Sequence, residues 1–219
     1  SMVLLMWSAF KAAHKDWVDP PGYITDGSDL ARYKAIIEHA DKWIGTMLAS
    51  VDLSNTYVFF LCDNGSPIEV ATTSGHKNQL LEGGINVPLI IAGPGIVPGL
   101  VSDALVNSTD LFATALGMTG VASTAEDSVD LWPVLSGAQG RVRAWAYSEL
   151  LTDRRDERAA RETRYKLLVE RTDNGSFSES LYDLQAAPPG EDGEPLGPFY
   201  TQEQQEALER LRAVVYAKD

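Results

Sequence analysis

Residues 63–66, Asp-Asn-Gly-Ser, place a carboxylate and an amide side by side at the end of an apolar run. That run, residues 56–62, is apolar on both faces, which is typical of a covered strand in the middle of a sheet. Parallel sheets bind ligands just beyond the carboxyl ends of their strands, and carboxylate and amide oxygens suit a hard cation. We therefore interpret Asp63 and Asn64 as candidate metal ligands. The alternative is an Asx turn that only ends the strand.

A glycine-rich loop with basic side chains follows, and it contains Ser-Gly-His-Lys at residues 74–77. Lys77 is a compact point charge beside a flexible segment, so it is suited to contact an anionic oxygen. His76 could donate a hydrogen bond beside it. Taken alone, such a loop is usually a solvated turn. We interpret Glu82, further along, as an anchor for the loop and not as a catalyst.

The letters Asp-Asn-Gly-Ser occur a second time, at residues 173–176, between polar segments. Asn-Gly is a common sequence for a tight hairpin turn. We predict a turn here and no metal site, so the two copies are assigned different roles.

The elements that position these residues follow from the hydrophobic pattern. Residues 28–50 have helical spacing with one apolar face, and Ser28 or Asp29 can cap the helix start. The other predicted elements of this part are strands at 3–10, 56–62 and 87–92 and a helix at 109–118 that Thr109 could cap. Their order indicates an α/β fold with a mostly parallel sheet flanked by helices.

The pattern changes after residue 140, where we place a boundary between residues 1–140 and a small α+β subdomain at 141–219. The predicted elements of the subdomain are strands at 145–150, 165–170 and 180–184 and an amphipathic helix at 201–218. The charged stretch 153–164 is predicted to be a loop or a frayed helix, and residues 186–198 to be irregular.

The composition excludes several classes of protein. The 219 residues carry a net charge of −13, with a pI of about 4.6, which disfavours a nucleic-acid-binding protein with a basic face. No apolar run approaches the length of a membrane span. Cys62 is the only cysteine, so an internal disulfide and a thiolate zinc cluster are both excluded.

The sequence resembles the sulfatase family, within the alkaline phosphatase superfamily. The resemblance rests on three segments that come in the family's order: TYVFFLCDNG, SGHKNQLLEGGINVPLIIAGPG and SDALVNSTDLFATALGMTG. Upstream, AFKAAHKDW is similar to the family's strand that ends in a histidine, with His14 at that place.

The resemblance implies an α/β sandwich with a smaller C-terminal sheet subdomain, and arylsulfatase-like hydrolysis of sulfate esters. By the same resemblance, Asp63 and Asn64 match the family's second pair of calcium ligands. Lys77 matches the lysine that contacts the sulfate and the leaving oxygen, and His14 matches the histidine that protonates the leaving group. His76 lies beside the matching lysine as a further substrate-binding residue. The implied substrate is a sulfated small molecule or carbohydrate.

Parts of the family pattern do not occur in this sequence. The family's nucleophile lies in a Cys/Ser-x-Pro-x-Arg motif, in which the cysteine or serine is oxidised to formylglycine, and no such motif is present. The aspartate pair that completes the calcium site is also absent, so the chain resembles roughly the second half of a sulfatase. Cys62 is interpreted as a core thiol.

These differences carry their own expectations. Two ligands fall short of the six to eight that Ca²⁺ takes, so we expect calcium binding to be weak or absent. Without a nucleophile, we expect no turnover by this chain alone. We also expect an exposed sheet surface that favours self-association. The compartment stays open, because family members are often exported, periplasmic or lysosomal and any signal would lie upstream.

Two alternatives stay open from the sequence. The chain could be a non-catalytic interaction module with a residual anion site. It could also be a phosphate or phosphonate ester hydrolase of the same superfamily. The second alternative is disfavoured because such relatives carry a histidine at the position of Asn64, which pairs with zinc chemistry.

Overall fold

The computed structural model describes residues 6–217. The elements in chain order are α1 (Asp29–Leu48), β1 (Val58–Leu61), α2 (Glu82–Ile85), β2 (Leu89–Ala92), α3 (Asp110–Met118), α4 (Trp132–Leu135), β3 (Ala146–Leu151), β4 (Asp156–Arg161), β5 (Tyr165–Arg171), β6 (Phe177–Asp183) and α5 (Gln202–Tyr216). The chain is therefore an α/β protein, as expected. No helix among the described residues is both long and apolar enough to cross a membrane.

The predicted helix 28–50 is confirmed as α1. Ser28 is the N-cap, and its side chain accepts a hydrogen bond from the backbone N–H of Ala31 at 3.3 Å. Of the residues in α1, only Ala35 is fully buried, while the apolar side chains of Ile37 and Trp43 remain about half exposed. The apolar face of the helix is thus only partly covered.

The predicted strands 56–62 and 87–92 are present as β1 and β2, but the prediction of a parallel sheet was wrong. The two strands pair antiparallel, with Val58 opposite Ala92 and Leu61 opposite Leu89. The reason lies in the connection, because Cys62 N–H donates to the Pro88 carbonyl at 3.3 Å and the chain returns to the end of the strand that it left. A parallel pair needs a connection that crosses to the opposite end.

The predicted strand at residues 3–10 lies partly outside the described residues. Residues 6–10 are described and form no strand, so this part of the prediction was wrong. Met6 and Trp7 are largely exposed. A strand requires a neighbour to hydrogen-bond with, and β1 and β2 pair only with each other in the described part of the chain.

The C-terminal sheet is an antiparallel meander in the order β3-β4-β5-β6, and α5 packs on it. The core between the sheet and α5 consists of Ala160, Tyr165, Leu167, Val169, Leu181, Ala207, Leu208, Leu211 and Val215. The predicted C-terminal helix is confirmed, and a capping box of Thr201 and Gln204 starts it. The hairpin turn at 173–176 is also confirmed, because Thr172 N–H donates to the Ser176 carbonyl and Gly175 has a φ of 84°.

The prediction of a loop or frayed helix at 153–164 was wrong, because this stretch contains β4. Its buried side chains are Glu157, Ala159 and Ala160, with Ala159 and Ala160 on opposite faces of the sheet, while the charged Asp156 and Arg158 pair with each other at 3.2 Å. Two small alanines give too weak a hydrophobic signal to predict a strand. Residues 186–198 are irregular, as predicted.

Candidate functional site

The loop between β1 and β2 is closed on itself by glycines. A Cβ atom added to Gly65 would lie 1.9 Å from the carbonyl oxygen of Gly83, and one added to Gly84 would lie 2.1 Å from that of Gln79. Gly65 N–H also donates to the Gly84 carbonyl at 2.8 Å. The backbones approach so closely that only glycine fits at these positions. The loop that carries the candidate residues is therefore a compact unit.

Asp63 and Asn64 lie at the start of this loop, directly after β1. The Asp63 carboxylate accepts from the backbone N–H of Asn64 at 2.9 Å, and the Asn64 side-chain amide donates to the Gly65 carbonyl at 3.0 Å. An Asx turn would use the N–H of Gly65, which instead donates to Gly84. The alternative of an Asx turn is therefore not what the structure shows. Because the side-chain nitrogen of Asn64 donates to Gly65, the side-chain oxygen is the atom that could bind a cation.

The backbone places Lys77 beside the first segment of the loop, since Lys77 N–H donates to the Ser66 carbonyl at 2.8 Å. The Lys77 side chain is half-buried, and its ammonium forms none of the ion pairs found among residues 6–217. His76 Nδ1 lies 2.7 Å from the Lys77 carbonyl oxygen and donates to it. This contact leaves Nε2 as the ring atom that can meet a ligand.

A line of contacts connects the segment around His14 to the same loop. Trp17 donates through its indole N–H to the Ala13 carbonyl at 3.0 Å and packs edge-on against Tyr33, with ring centroids 5.7 Å apart. The Tyr33 hydroxyl in turn lies 3.0 Å from Ser66 Oγ. Tyr33 of helix α1 therefore links the His14 segment to the start of the site loop.

A second contact between these segments is electrostatic. Lys15, next to His14, pairs with Glu69 in the site loop. The Lys15 ammonium holds the pKa of the Glu69 carboxyl below its usual value, and the charge of His76 acts in the same direction. His14 itself is exposed, and its Nδ1 lies 3.4 Å from the Lys15 carbonyl oxygen.

The backbone is strained next to both candidate catalytic side chains. Ala13, which precedes His14, has a φ of 65°, and Asn78, which follows Lys77, has a φ of 69°. Non-glycine residues rarely adopt this left-handed region. The contacts thus bring the segments of Asp63, Asn64, His76 and Lys77 together and dock the His14 segment against them. That these side chains act jointly on one ligand stays a prediction.

Two side chains of the loop have clear structural surroundings. Burial raises the pKa of the Cys62 thiol, and the charge of Asp63 adds to this effect, so Cys62 is a poor nucleophile at neutral pH. Glu82 is 3% exposed and pairs with Arg161 at 2.6 Å, while Asn86 donates to it at 3.0 Å. Glu82 is an anchor of the loop, as interpreted from the sequence.

The candidate metal ligands are two adjacent residues at the end of β1. Asp63 and Asn64 offer hard oxygen atoms, which fit the chemistry of Ca²⁺. Within residues 6–217 no three His, Cys, Asp or Glu side chains come close enough together to hold a metal ion. Asp63 and Asn64 alone would therefore fill only part of a calcium coordination sphere, and that they bind calcium stays a prediction.

Sequence reasoning missed the residues that hold the site together, above all Tyr33, Ser66 and Glu69. Their contacts join positions far apart in the chain, and no spacing rule connects them. A half-buried tyrosine on an amphipathic helix is an ordinary feature, so the sequence carried no distinct signal for this one.

Comparison with known proteins gives the class of the chain. The family model described as Sulfatase matches residues 6–121, which is more than half of the 219 residues. The chain therefore belongs to the sulfatase family. This match includes Asp63, Asn64, His76 and Lys77 as well as the segment around His14.

The curated relatives are sulfatases as well. Human N-acetylglucosamine-6-sulfatase is 40% identical over 100 residues, which cover 45% of this chain and 18% of that protein. Arylsulfatase K of Xenopus laevis is 28% identical over 172 residues, which cover 72% of this chain and 32% of that protein. The chain thus spans less than a third of the length of these two relatives.

The solved structures confirm the fold class. A structure from Bacteroides thetaiotaomicron that is assigned to the sulfatases has a TM-score of 0.67 and 25% identity, and the match covers 85% of this chain and 41% of that one. A second structure, solved in complex with its substrate D-glucosamine-2-N,6-O-disulfate, has a TM-score of 0.67 and 21% identity. The match to the second structure covers 86% of this chain and 39% of that one.

Proposed function

We propose that this chain carries the metal and leaving-group part of a sulfatase site, which acts on sulfate esters in an arylsulfatase-like reaction. The observation that carries the proposal is the position of Lys77. Its backbone is bonded to Ser66, next to Asp63 and Asn64, and its half-buried ammonium is in no ion pair of the described residues. A cation held this way is ready to pair with an anion, and a sulfate ester is one.

Each proposed residue has a separate chemical task. Lys77 binds a sulfate oxygen and the leaving oxygen, where negative charge builds up as the S–O bond breaks. His14 donates a proton to that leaving oxygen, and His76, with both ring nitrogens protonated, donates a hydrogen bond from Nε2–H to the sulfate. Asp63 and Asn64 would hold a calcium ion. When bound, this ion would polarise the sulfate oxygens.

We expect the nucleophile to come from a segment that is not among these 219 residues. The sequence contains no Cys/Ser-x-Pro-x-Arg segment, and the raised pKa of Cys62 makes the thiol a poor substitute. The proposal is therefore that the 219-residue chain binds a sulfate ester without turning it over. A chromogenic aryl sulfate incubated with the chain and Ca²⁺ should show no hydrolysis above background.

We propose a sulfated carbohydrate as the substrate class. Two relatives are named for the sulfated amino sugars on which they act, and one solved structure contains a sulfated glucosamine. The phosphate ester alternative is disfavoured by Asn64, because an amide oxygen is a poor ligand for zinc.

The experiment is an NMR titration of the chain with N-acetylglucosamine 6-sulfate and, as a control, with unsulfated N-acetylglucosamine. We expect the sulfated sugar alone to shift the amide signals of residues 63–66 and 76–77. Lys77→Met should abolish these shifts, whereas Lys42→Met, which removes an exposed lysine on α1, should not. Equal responses to both sugars, or an unchanged response in Lys77→Met, would contradict the proposal.

A further inference from the structure

Three charged side chains are buried where the site loop meets the C-terminal sheet. Lys166 is 0% exposed, Asp192 1% and Glu82 3%. The Lys166 ammonium lies 2.7 Å from Asp192 Oδ1 and 3.2 Å from Glu82 Oε1. We call these three residues the buried charge cluster. Removing charges from water costs free energy, so a cluster like this one requires a specific arrangement of partners.

Asp192 forms hydrogen bonds with the site loop at two points. Its backbone N–H donates to Ser74 Oγ at 3.1 Å, and its carboxylate Oδ2 accepts from the backbone N–H of Glu82 at 2.5 Å. His76 and Lys77 lie between these two points in the chain. The base of the loop is closed by Gly83 N–H, which donates to the Ser74 carbonyl at 3.0 Å.

The C-terminal sheet holds the same loop at two further places. Arg155 donates to the carbonyl of Asn78, the residue after Lys77, at 2.6 Å. Leu80 is buried against Ala159, Leu168 and Tyr182 of the sheet. These contacts cover one side of the loop, whereas the buried charge cluster fixes its two ends.

We infer that the buried charge cluster is a positioning device for Lys77 and His76. Lys166 and Asp192 act through the loop and do not touch the ligand. The expected effect on sulfate affinity rests on the proposed function, whereas the expected effect on hydrogen exchange in the loop does not. The C-terminal sheet thereby sets the anion affinity of a site whose ligands come from the first part of the chain.

A carboxylate is needed at position 192 because one oxygen forms an ion pair and the other accepts a hydrogen bond. Oδ1 meets Lys166, and Oδ2 meets the Glu82 N–H. Asparagine has the same shape, but it presents one acceptor and one donor group. In Asp192→Asn one of the two contacts must therefore be lost, without a change in volume.

The experiment compares Asp192→Asn with the matched control Asp183→Asn in the full chain. Asp183 is also buried, and both of its oxygens accept hydrogen bonds from Arg164, but it makes none of the contacts described for the loop. Hydrogen exchange of the peptide 74–86 and the affinity for inorganic sulfate are measured for each variant. Denaturant unfolding of each gives the stability.

We expect Asp192→Asn to speed exchange in residues 74–86 by about tenfold and to weaken sulfate binding several-fold, while amides of β5 and β6 stay protected. Asp183→Asn should lower stability without either effect. This split separates positioning from stability, because a purely structural role would give both variants the same profile.

An unchanged exchange rate in folded Asp192→Asn would overturn the inference. Equal loop exchange in the two variants would overturn it as well. If Asp192→Asn does not fold, Ser74→Ala tests the inference instead, because it removes only the hydrogen bond that Ser74 Oγ accepts from the Asp192 N–H. This variant should then speed exchange at 74–77. Absence of sulfate binding by the unaltered chain would refute the proposed function. The hydrogen-exchange data would still test whether the buried charge cluster positions the loop.

Discussion

At the scale of single residues, the glycines of the site loop matter because they have no side chain. The carbonyl of Gly83 lies where a side chain of residue 65 would begin, and the carbonyls of Ser74 and Gly75 crowd position 83 in the same way. These neighbours are backbone atoms, which cannot rotate out of the way. The close approach keeps the backbone of Lys77 beside Ser66, near the start of the loop, so the candidate site depends on the absence of these side chains.

Gly65→Ala should therefore destabilise the chain by more than about 2 kcal/mol, because the loop must open to admit a methyl group. Gly45→Ala is the control: it lies in α1 with nothing near its added Cβ, and it should stabilise by about 0.5–1 kcal/mol. Urea unfolding of both variants measures the difference. A Gly65→Ala variant as stable as the unaltered chain would show that the loop is not packed as described.

At the scale of elements, the longer helices α1, α3 and α5 could be predicted from the sequence, whereas the short helices α2 and α4 and the strand directions could not. Helix α1 has a regular apolar face and a serine cap, and α5 has a capping box, so local patterns suffice. The direction of β2 depends on the hydrogen bonds that return the chain from Gly84 to Gly65, which no local pattern encodes. Similarly, β4 is held by cross-strand pairing on both sides and not by its own hydrophobicity.

The same reason separates the site residues that could be predicted from those that could not. Asp63, Asn64 and Lys77 lie in short motifs, so a resemblance could point to them. Lys166 and Asp192 act through contacts with Glu82 of the loop, which lies 84 and 110 residues away from them in the chain. Such contacts exist only after folding.

The ion pair between Arg164 and Asp183 at the end of β6 should make the C-terminal sheet sensitive to acid. The hydrogen bonds from Arg164 hold the pKa of the Asp183 carboxyl below its ordinary value of 3.8. A carboxyl whose pKa is lower in the folded chain than in the unfolded chain stabilises the fold at any pH above its unfolded pKa. This contribution is lost as the pH falls through the lower pKa of the folded chain. Asp183→Asn should thus be less stable than the unaltered chain at neutral pH, and the difference should shrink on acidification below about pH 4.

Urea unfolding between neutral pH and about pH 2 measures this difference. Asp153→Asn is the control, because Asp153 is exposed and forms none of the ion pairs described in residues 6–217. This variant should follow the unaltered chain at every pH. A constant difference for Asp183→Asn across the range would contradict the assignment of the stabilising charge to this residue.

At the scale of the whole molecule, the apolar surface of the first part of the chain stands out. All eight residues of β1 and β2 are apolar, yet none of them is fully buried. Phe60 and Ile90 face each other across the two strands and are 38% and 62% exposed. A two-stranded sheet with apolar, uncovered faces is marginally stable alone and is a site for pairing with another strand.

We therefore expect the chain to self-associate through this sheet. Sedimentation velocity should show a concentration-dependent rise in mass, stronger at high salt because screening weakens the repulsion between chains of net charge −13. The double variant Phe60→Thr/Ile90→Thr should shift the equilibrium to the monomer. Phe199→Thr, at an exposed position outside this sheet, should not. A monomer at all concentrations would rule out this surface as an interface.

We expect Lys77 to bind the sulfate group beside the proposed calcium ligands Asp63 and Asn64, with His14 next to them. The most direct test is a crystal structure of the chain soaked in selenate, whose oxygens are arranged as in sulfate and whose selenium is located by anomalous scattering. We expect a selenate ion with an oxygen about 2.7–3.2 Å from Lys77 Nζ, on the side of the loop where the Asp63 and Asn64 oxygens lie. Selenate bound only elsewhere, with the Lys77 ammonium turned away from Asp63 and Asn64, would contradict it.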